Sequence, residues 1–161
     1  MPDLTAAITL TARAATEATF APYGAIVPAP AEGDRVPLPL GFEGEPCAGE
    51  AVMSMNSVLP PDGPVKLLIE RHPFSVQVFV PLGDEPLLVV AALPGIERPG
   101  ADDLVVFAIP PRHAVIYRVG TWHLGMASQH APTTVAGFIR RLPDGSDTEF
   151  LELEGAAAIA L

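Results

Sequence analysis

The stretch IERHPFSVQVFVPL, residues 69–82, decides the fold of this chain. Its apolar, β-branched and aromatic residues surround a Pro, which predicts two short strands joined by a turn. A second stretch, VIYRVGTWHLG at residues 115–125, has the same character. Together they hold two of the four histidines among apolar neighbours. In an all-β chain this pattern predicts a barrel whose interior carries polar chemistry near one end.

Similar short apolar runs fill the rest of the chain, punctuated by 19 Pro and 14 Gly. Helix is scarce: Thr16 predicts the cap of a short helix through Phe20, and the segment near Asp102 predicts another helical turn. Many strands with frequent turns favour a closed barrel or sandwich over a parallel sheet with crossover helices. The strand-like runs are AITLTA, AVMSMNSV, VKLLIERH, VQVFVPL, PLLVVAAL, VVFAI, AVIYRV, TVAGFIRR and EFLEL.

Composition narrows the functional class. The length of 161 residues predicts a single domain spanning 1–161. A formal net charge of −10 argues against nucleic acid as a partner, because phosphate binding needs a basic surface. No apolar run reaches the roughly 18 residues of a membrane helix, and MPDLTAA is unlike a signal peptide, so we expect a cytoplasmic protein without a membrane partner. The single Cys47 excludes an internal disulfide and a multi-cysteine zinc site.

Two segments lack sustained periodicity or a clear partner. Residues 28–49 are rich in Pro, Gly and Glu, which predicts a long loop over the barrel mouth or a partly ordered lid. The apolar tail GAAAIAL either docks on the barrel or a partner subunit or frays.

Strand alternation leaves two arrangements open for the first stretch. Residues 65, 67, 69 and 71 share one face, which is the more apolar and aims Arg71 inward at the end of the strand. The other face ends in Glu70 and His72, before Pro73 breaks the pattern. The sequence alone does not decide which set lines a pocket.

The polar residues permit two kinds of site. Glu70, His72, Gln77 and His123 fall at places comparable to the ligands of metal-binding cupin barrels, which predicts a possible site for a divalent metal. Without a metal, the imidazoles beside a carboxylate make a proton-transfer site. Asn56 is polar within an apolar strand and needs a partner if it is buried, which a pocket would supply. His113 and His130 lie in loops and are expected to be solvated.

Arginine dominates the basic residues and suits bidentate capture of a carboxylate. Arg71 and Arg118 lie inside the two informative stretches. They indicate a small-molecule carboxylate as the ligand, with a surface charge at a strand end as the simpler interpretation.

These residues resemble the ureidoglycolate lyase family of allantoin catabolism. ERHP at residues 70–73 followed by QVFVPL from Gln77 is similar to the family's ERHP…QAFIP signature. Tyr117 with GTWH at 120–123 is similar to its YHRGxWH segment. Weaker similarities are FAPYG at 20–24, SMN at 54–56 and the Asp-x-Glu of 147–149. The chain departs from the family pattern at Arg118, at 124–125, after Asn56 and within TVAGFIRR, which marks it as a diverged member or paralogue.

The resemblance implies a cupin-like, jelly-roll type β-barrel that forms a homodimer and cleaves ureidoglycolate into glyoxylate and urea. A base takes the hydroxyl proton while an acid protonates the departing nitrogen. The base would be His123 or His72, and the acid Glu70 or the other histidine. The remaining roles would fall to substrate-binding residues: Arg71 and Arg118 for the carboxylate, Gln77 and Asn56 for the ureido group, and Tyr117 beside them.

Two other hypotheses stay open. A metal-dependent cupin enzyme on another small carboxylate would lose its activity with a chelator. A non-catalytic binding barrel would be stabilised by a ligand without turnover.

Overall fold

A computed structural model describes residues 7–41 and 49–161. Within these ranges the protein is almost entirely β-structure, which confirms the predicted all-β barrel. The elements are β1 (Ile8–Ala14), α1 (Glu17–Phe20), β2 (Gly24–Pro28), β3 (Glu50–Val58), β4 (Val65–Arg71), β5 (Gln77–Pro81), β6 (Leu87–Ala92), a 3-10 turn (Ala101–Asp103), β7 (Val105–Ile109), β8 (His113–Tyr117), β9 (Trp122–His123), β10 (Ala127–Ser128), β11 (Thr133–Arg141) and β12 (Glu149–Ala160).

Six strands close into a barrel in the order β6-β7-β1-β12-β4-β9, because β9 pairs with both β4 and β6. The short β10 extends this sheet beside the start of β6. A second, five-stranded sheet has the order β2-β8-β5-β11-β3. Closure pairs each of the six barrel strands on both sides, whereas β2 and β3 are the edge strands of the second sheet among the residues described.

Alternation along the strands divides the apolar residues between two cores. Leu67 and Ile69 of β4 point into the barrel, where they join a cluster that includes Val90 and Trp122. The outer faces of β6 and β7 pack against the second sheet in another cluster, to which Phe107 and Tyr117 belong. The site described below lies at the boundary between the barrel wall and the second sheet.

Local signals account for the helical elements. Thr16 caps α1, with its hydroxyl accepting from the N–H of Thr19 at 3.1 Å, as the sequence predicts. Phe20 ends this helix and is fully buried. The turn expected near Asp102 is the 3-10 segment. Among the described residues, no helix is both long enough and apolar enough to cross a membrane.

The apolar tail and the loop after β2 have different structures. The tail, which the sequence left between docking and fraying, is part of β12, where residues 157–160 pair with β1 in parallel. Residues 29–41 form neither helix nor strand, in agreement with the predicted loop. The rest of that loop, including Cys47, lies outside the described residues.

Candidate active site

Glu70, His72 and His123 converge where β4 ends beside β9. Glu70 and His123 are direct cross-strand partners in the pairing of β4 with β9. His72 follows two residues later, and its backbone carbonyl accepts the N–H of Gly120 at 2.8 Å. This bond fixes the Gly-Thr turn that leads into β9. The turn therefore brings the two informative stretches of sequence together.

The cluster belongs to the second of the two faces that the sequence left open. Glu70 and His72 lie on the outer side of the barrel wall, whereas Leu67 and Ile69 fill its interior. The two imidazole centroids are 5.3 Å apart. The Oε1 atom of Glu70 lies 3.3 Å from Nε2 of His123 and 3.6 Å from Nε2 of His72.

Backbone carbonyls fix the tautomers of both histidines. Nδ1 of His72 lies 3.1 Å from the carbonyl oxygen of Asp147, and Nδ1 of His123 lies 2.9 Å from that of Thr121. A carbonyl oxygen only accepts, so Nδ1 carries the proton in each ring. In each neutral ring Nε2 therefore carries the lone pair, and in each protonated ring it carries an N–H that points towards Glu70.

Four buried side-chain atoms in the described part of the chain have no hydrogen-bond partner, and all four belong to residues that the sequence predicts for the site. They are Nε2 of His72, Oε1 of Gln77, the hydroxyl of Tyr117 and Nε2 of His123. Such groups are costly to leave unpaired. Their concentration at one place makes this region a candidate ligand site.

The surroundings shift the pKa values of Glu70 and Tyr117 in opposite directions. The imidazole of His123, followed by that of His72, holds the pKa of the Glu70 carboxyl well below its usual range, against the opposing effect of burial. Burial, and then the nearby charge of Glu70, raises the pKa of the Tyr117 hydroxyl. At neutral pH the site therefore contains an ionised carboxylate and a neutral phenol.

Tyr117 packs directly on the cluster. Its ring stacks on that of His123 with centroids 4.2 Å apart and an interplanar angle of 13°. It is also the cross-strand partner of Gln77, in the pairing of β5 with β8. Its hydroxyl, which the family resemblance places beside the substrate-binding groups, is buried and has no hydrogen-bond partner among the described residues.

A cavity of about 350 Å³ opens beside the cluster, between the barrel wall and the inner face of the second sheet. Among the described residues, its lining includes Glu70 of the cluster with Gln77 and Asn56, and also Arg141, which no sequence motif indicates, whereas His72, His123 and Tyr117 are not part of the lining. The Nδ2 atom of Asn56 donates to the hydroxyl of Ser54 at 2.8 Å. Depressions of about 580 and 630 Å³ lie around the loop after β2 and contain none of the cluster.

The structure does not bring Arg71 and Arg118 to this cavity. Arg71 lies over the ring of Trp122 at 4.6 Å, and its Nε donates to Glu149 at 2.6 Å. Arg118 is exposed and donates to the carbonyl of Ala21 at 2.9 Å. Their predicted role as carboxylate ligands stays a prediction.

The three central side chains fit a divalent metal ion. One ligand atom from each of Glu70, His72 and His123 lies within 4.8 Å of the others. Two imidazoles oriented through Nδ1 by carbonyls, together with an ionised carboxylate, are a donor set found at metal sites. The unpaired Oε1 of Gln77 adds a weak oxygen donor on the wall of the adjoining cavity.

Comparison with known proteins gives one family for this chain. The model of the ureidoglycolate lyase family matches residues 39–159. A ureidoglycolate lyase of Mesorhizobium japonicum is 30% identical over 162 residues, covering 94% of this chain and 98% of the relative. A putative ureidoglycolate lyase of Agrobacterium fabrum is 33% identical over 117 residues, which are 71% of this chain and 72% of that one. One from Azotobacter vinelandii is 43% identical over 56 residues, covering 35% and 33% of the two chains. This chain belongs to the ureidoglycolate lyase family.

Proposed function

We propose that this protein is a ureidoglycolate lyase, which cleaves ureidoglycolate to glyoxylate and urea. Family membership supports the substrate. The observation that carries the proposal is the group of four unpaired buried polar atoms around an ionised carboxylate beside a cavity. A site of this kind offers several directional contacts to a small polar molecule.

The reaction needs one proton to leave oxygen and one to reach nitrogen. As the substrate's hydroxyl loses its proton, its oxygen forms the carbonyl of glyoxylate. The carbon–nitrogen bond breaks with its electron pair on nitrogen, which takes up a proton to become urea. A base and an acid on the same side of the substrate satisfy both transfers.

We assign these transfers to the two imidazoles. His123 is the base, because its Nε2 lies nearest to the Glu70 carboxylate that stabilises the protonated ring. His72 is assigned as the acid in its protonated form, whose Nε2–H would be held by the same carboxylate at 3.6 Å and would pass to the departing nitrogen. Glu70 was itself a candidate for the acid, but its lowered pKa keeps it ionised at neutral pH.

The remaining polar groups orient the ureido part of the substrate. Oε1 of Gln77 accepts from an N–H group, and the neutral hydroxyl of Tyr117 donates to an oxygen. Asn56, on strand β3 of the same sheet, offers its amide oxygen and the second proton of Nδ2, whose other proton is bonded to Ser54. These contacts replace water around the substrate.

A metal ion is a second way to use the same atoms. If Glu70, His72 and His123 hold a divalent ion, the ion supplies Lewis-acid stabilisation of negative charge on a substrate oxygen. The imidazoles and the carboxylate then fix and orient that ion through the carbonyl bonds at Nδ1.

We also propose that the protein is a cytoplasmic homodimer of cupin type. Met53 and Met55 on the edge strand β3 are 61% and 63% exposed, which supports an apolar contact with a second copy. Sedimentation at micromolar concentration should give the mass of two chains.

One assay tests the function and separates the two mechanisms. Glyoxylate release from ureidoglycolate is measured with protein as purified, after treatment with a chelator, and after each of several divalent ions is restored. Turnover insensitive to the chelator supports proton transfer by the imidazoles, and turnover that is lost and restored supports the metal. A protein without turnover under all three conditions refutes the lyase and leaves the binding barrel.

A further inference from the structure

Arg141 is a cation on the wall of the cavity. It ends β11, and it shares a face with Val135, Gly137 and Ile139, all of which line the same cavity. Its neighbour Arg140 faces the opposite side of the sheet, where it lines a separate depression. Glu70 and Arg141 are the charged side chains of this lining among the described residues.

The guanidinium of Arg141 is held through its Nη1 atom. Nη1 donates to Oδ2 of Asp147 at 3.0 Å and to the hydroxyl of Thr148 at 2.8 Å. Asp147 is itself fixed, because it is buried and its Oδ1 accepts the N–H of Leu142 at 2.7 Å. Within residues 7–41 and 49–161, the bonds that position Arg141 involve Nη1, and the other nitrogens of the fork remain for a ligand.

The same two residues hold His72. The carbonyl of Asp147 accepts from Nδ1 of His72, and the hydroxyl of Thr148 lies 3.3 Å from that nitrogen. Asp147 and Thr148 thus set the positions of an imidazole of the site and of a cation on the cavity wall. This gives a structural role to the Asp-x-Glu sequence at 147–149, whose Glu149 binds Arg71 instead.

We propose that Arg141 binds the carboxylate of the substrate and gives the site its preference for an anion. The inference rests on the proposed lyase function. A formal net charge of −10 repels a small anion, so a cation at the cavity is needed to hold one. Arg71 and Arg118 are engaged outside the cavity. Half of the Arg141 side chain, 48%, is exposed, which leaves it accessible to a substrate.

The test compares two substrates in the wild type and in Arg141→Gln. One is ureidoglycolate, and the other is its neutral analogue with a carboxamide in place of the carboxylate. We expect kcat/KM for ureidoglycolate to fall on the order of 10- to 100-fold, the usual effect of losing a hydrogen-bonded charge pair, mainly through KM. The value for the neutral analogue should change little. Arg141→Lys keeps the charge without the fork and should give an intermediate loss.

Arg140→Gln is the matched control, because it removes the same charge one residue away on the opposite face. It should leave both substrates unaffected. An equal fall for both substrates in Arg141→Gln, or no fall at all, would overturn the inference. If Arg141→Gln melts well below the wild type, Arg141→Lys takes its place in the test. The proposal then requires that the lysine variant lose activity on ureidoglycolate and keep it on the neutral analogue.

A direct binding measurement separates this inference from the lyase itself. Titration of glyoxylate into the wild type and into Arg141→Gln needs no turnover. Suppose that the wild type lacks lyase activity but binds glyoxylate, and that the variant binds it at least tenfold more weakly. The proposed function would then be wrong, and Arg141 would still be an anion-binding residue. Equal binding by both proteins, or absence of binding by the wild type, would refute the role of Arg141.

Discussion

Glu70 and His123 are direct cross-strand partners on β4 and β9, and Oε1 of Glu70 lies 3.3 Å from Nε2 of His123. The pairing of two short strand ends thus places an ionised carboxylate against an imidazole whose other nitrogen is already bonded to a carbonyl. The position of both groups is set by the backbone, so the site is organised before a ligand arrives.

Replacing either imidazole by an amide tests the importance of Nε2. His72→Asn and His123→Asn keep a donor near the position of Nδ1, so each carbonyl of Asp147 and Thr121 retains its partner. The variants lack Nε2. We expect turnover to fall by about 10²- to 10⁴-fold, the usual range for losing an acid or base, with a melting temperature near that of the wild type.

His130→Ala is the control for these variants. Its side chain is exposed in a loop away from the cluster, and it should remain active and stable. If His123→Asn and His72→Asn are stable and fully active, the site is elsewhere. If they melt far below the wild type, the histidines are structural and any loss of activity follows unfolding.

Local patterns in the sequence are enough to predict most strands, since β4 alternates between buried Leu67 and Ile69 and exposed Lys66 and Leu68. The sequence does not predict β2, because its five residues begin with Gly and end with Pro. The last residues of β12 were left undecided, because a strand of Ala residues is stabilised by its pairing with β1, which is distant in sequence.

Part of the candidate site is predictable, because its residues stand in local sequence motifs. Glu70 and His72 stand in one motif and His123 in another, and both motifs are local. Arg141 could not be identified, because two adjacent arginines point to opposite faces and the sequence does not say which face meets the cavity. Its contact with Asp147 depends on a turn that no periodicity predicts.

Metal binding gives a prediction that does not depend on turnover. With Mn²⁺ or Zn²⁺ at about 100 times its dissociation constant, the wild type should gain about 2.7 kcal/mol in unfolding free energy. The gain should be seen as a rise in melting temperature and reversed by a chelator. Glu70→Gln removes an anionic ligand and should lower the affinity for the ion at least tenfold. Losses of this size are typical even of changes to residues around the metal ligands.

The matched variant for the metal experiment is Glu149→Gln, whose carboxylate pairs with Arg71 outside the cluster. It should bind the ion as the wild type does. Equal stabilisation of the wild type, Glu70→Gln and Glu149→Gln would place the ion at another site, and no stabilisation of any of them would leave proton transfer by the imidazoles.

Glu85 gives a pH-dependent contribution to stability away from the site. The backbone N–H of His130, 2.5 Å from Oε1, is the main cause that lowers the pKa of this carboxyl, and Ala131 adds a second bond at 3.0 Å. Because the pKa of this carboxyl is lower in the folded state, its ionised form stabilises the fold at pH values above the unfolded pKa of about 4.3. This stabilisation disappears as the pH falls through the pKa of the folded state.

Glu85→Gln keeps an acceptor and removes only the charge. Its urea midpoint should be lower than that of the wild type at neutral pH, and the two should approach each other when the pH falls below the pKa of the folded carboxyl. Because Glu85 is only partly buried, the difference should also shrink in salt. A deficit of the same size at both pH values would mean that the charge of Glu85 is not its cause.

The absence of a side chain at Gly137 keeps the cavity open. A Cβ atom there would lie 2.9 Å from the hydroxyl of Ser54 and 3.1 Å from Nδ2 of Asn56. Both groups are ends of side chains and can move, so we expect Gly137→Ala to fold, with a loss of at most about 1–3 kcal/mol from overpacking. The displaced Asn56 can no longer meet the substrate, and KM should rise on the order of tenfold, the effect of losing about one hydrogen bond. Gly95→Ala, where a Cβ meets no atom within 4 Å, is the control and should change neither stability nor KM. Unchanged kinetics in a stable Gly137→Ala protein would exclude this wall of the cavity from substrate binding.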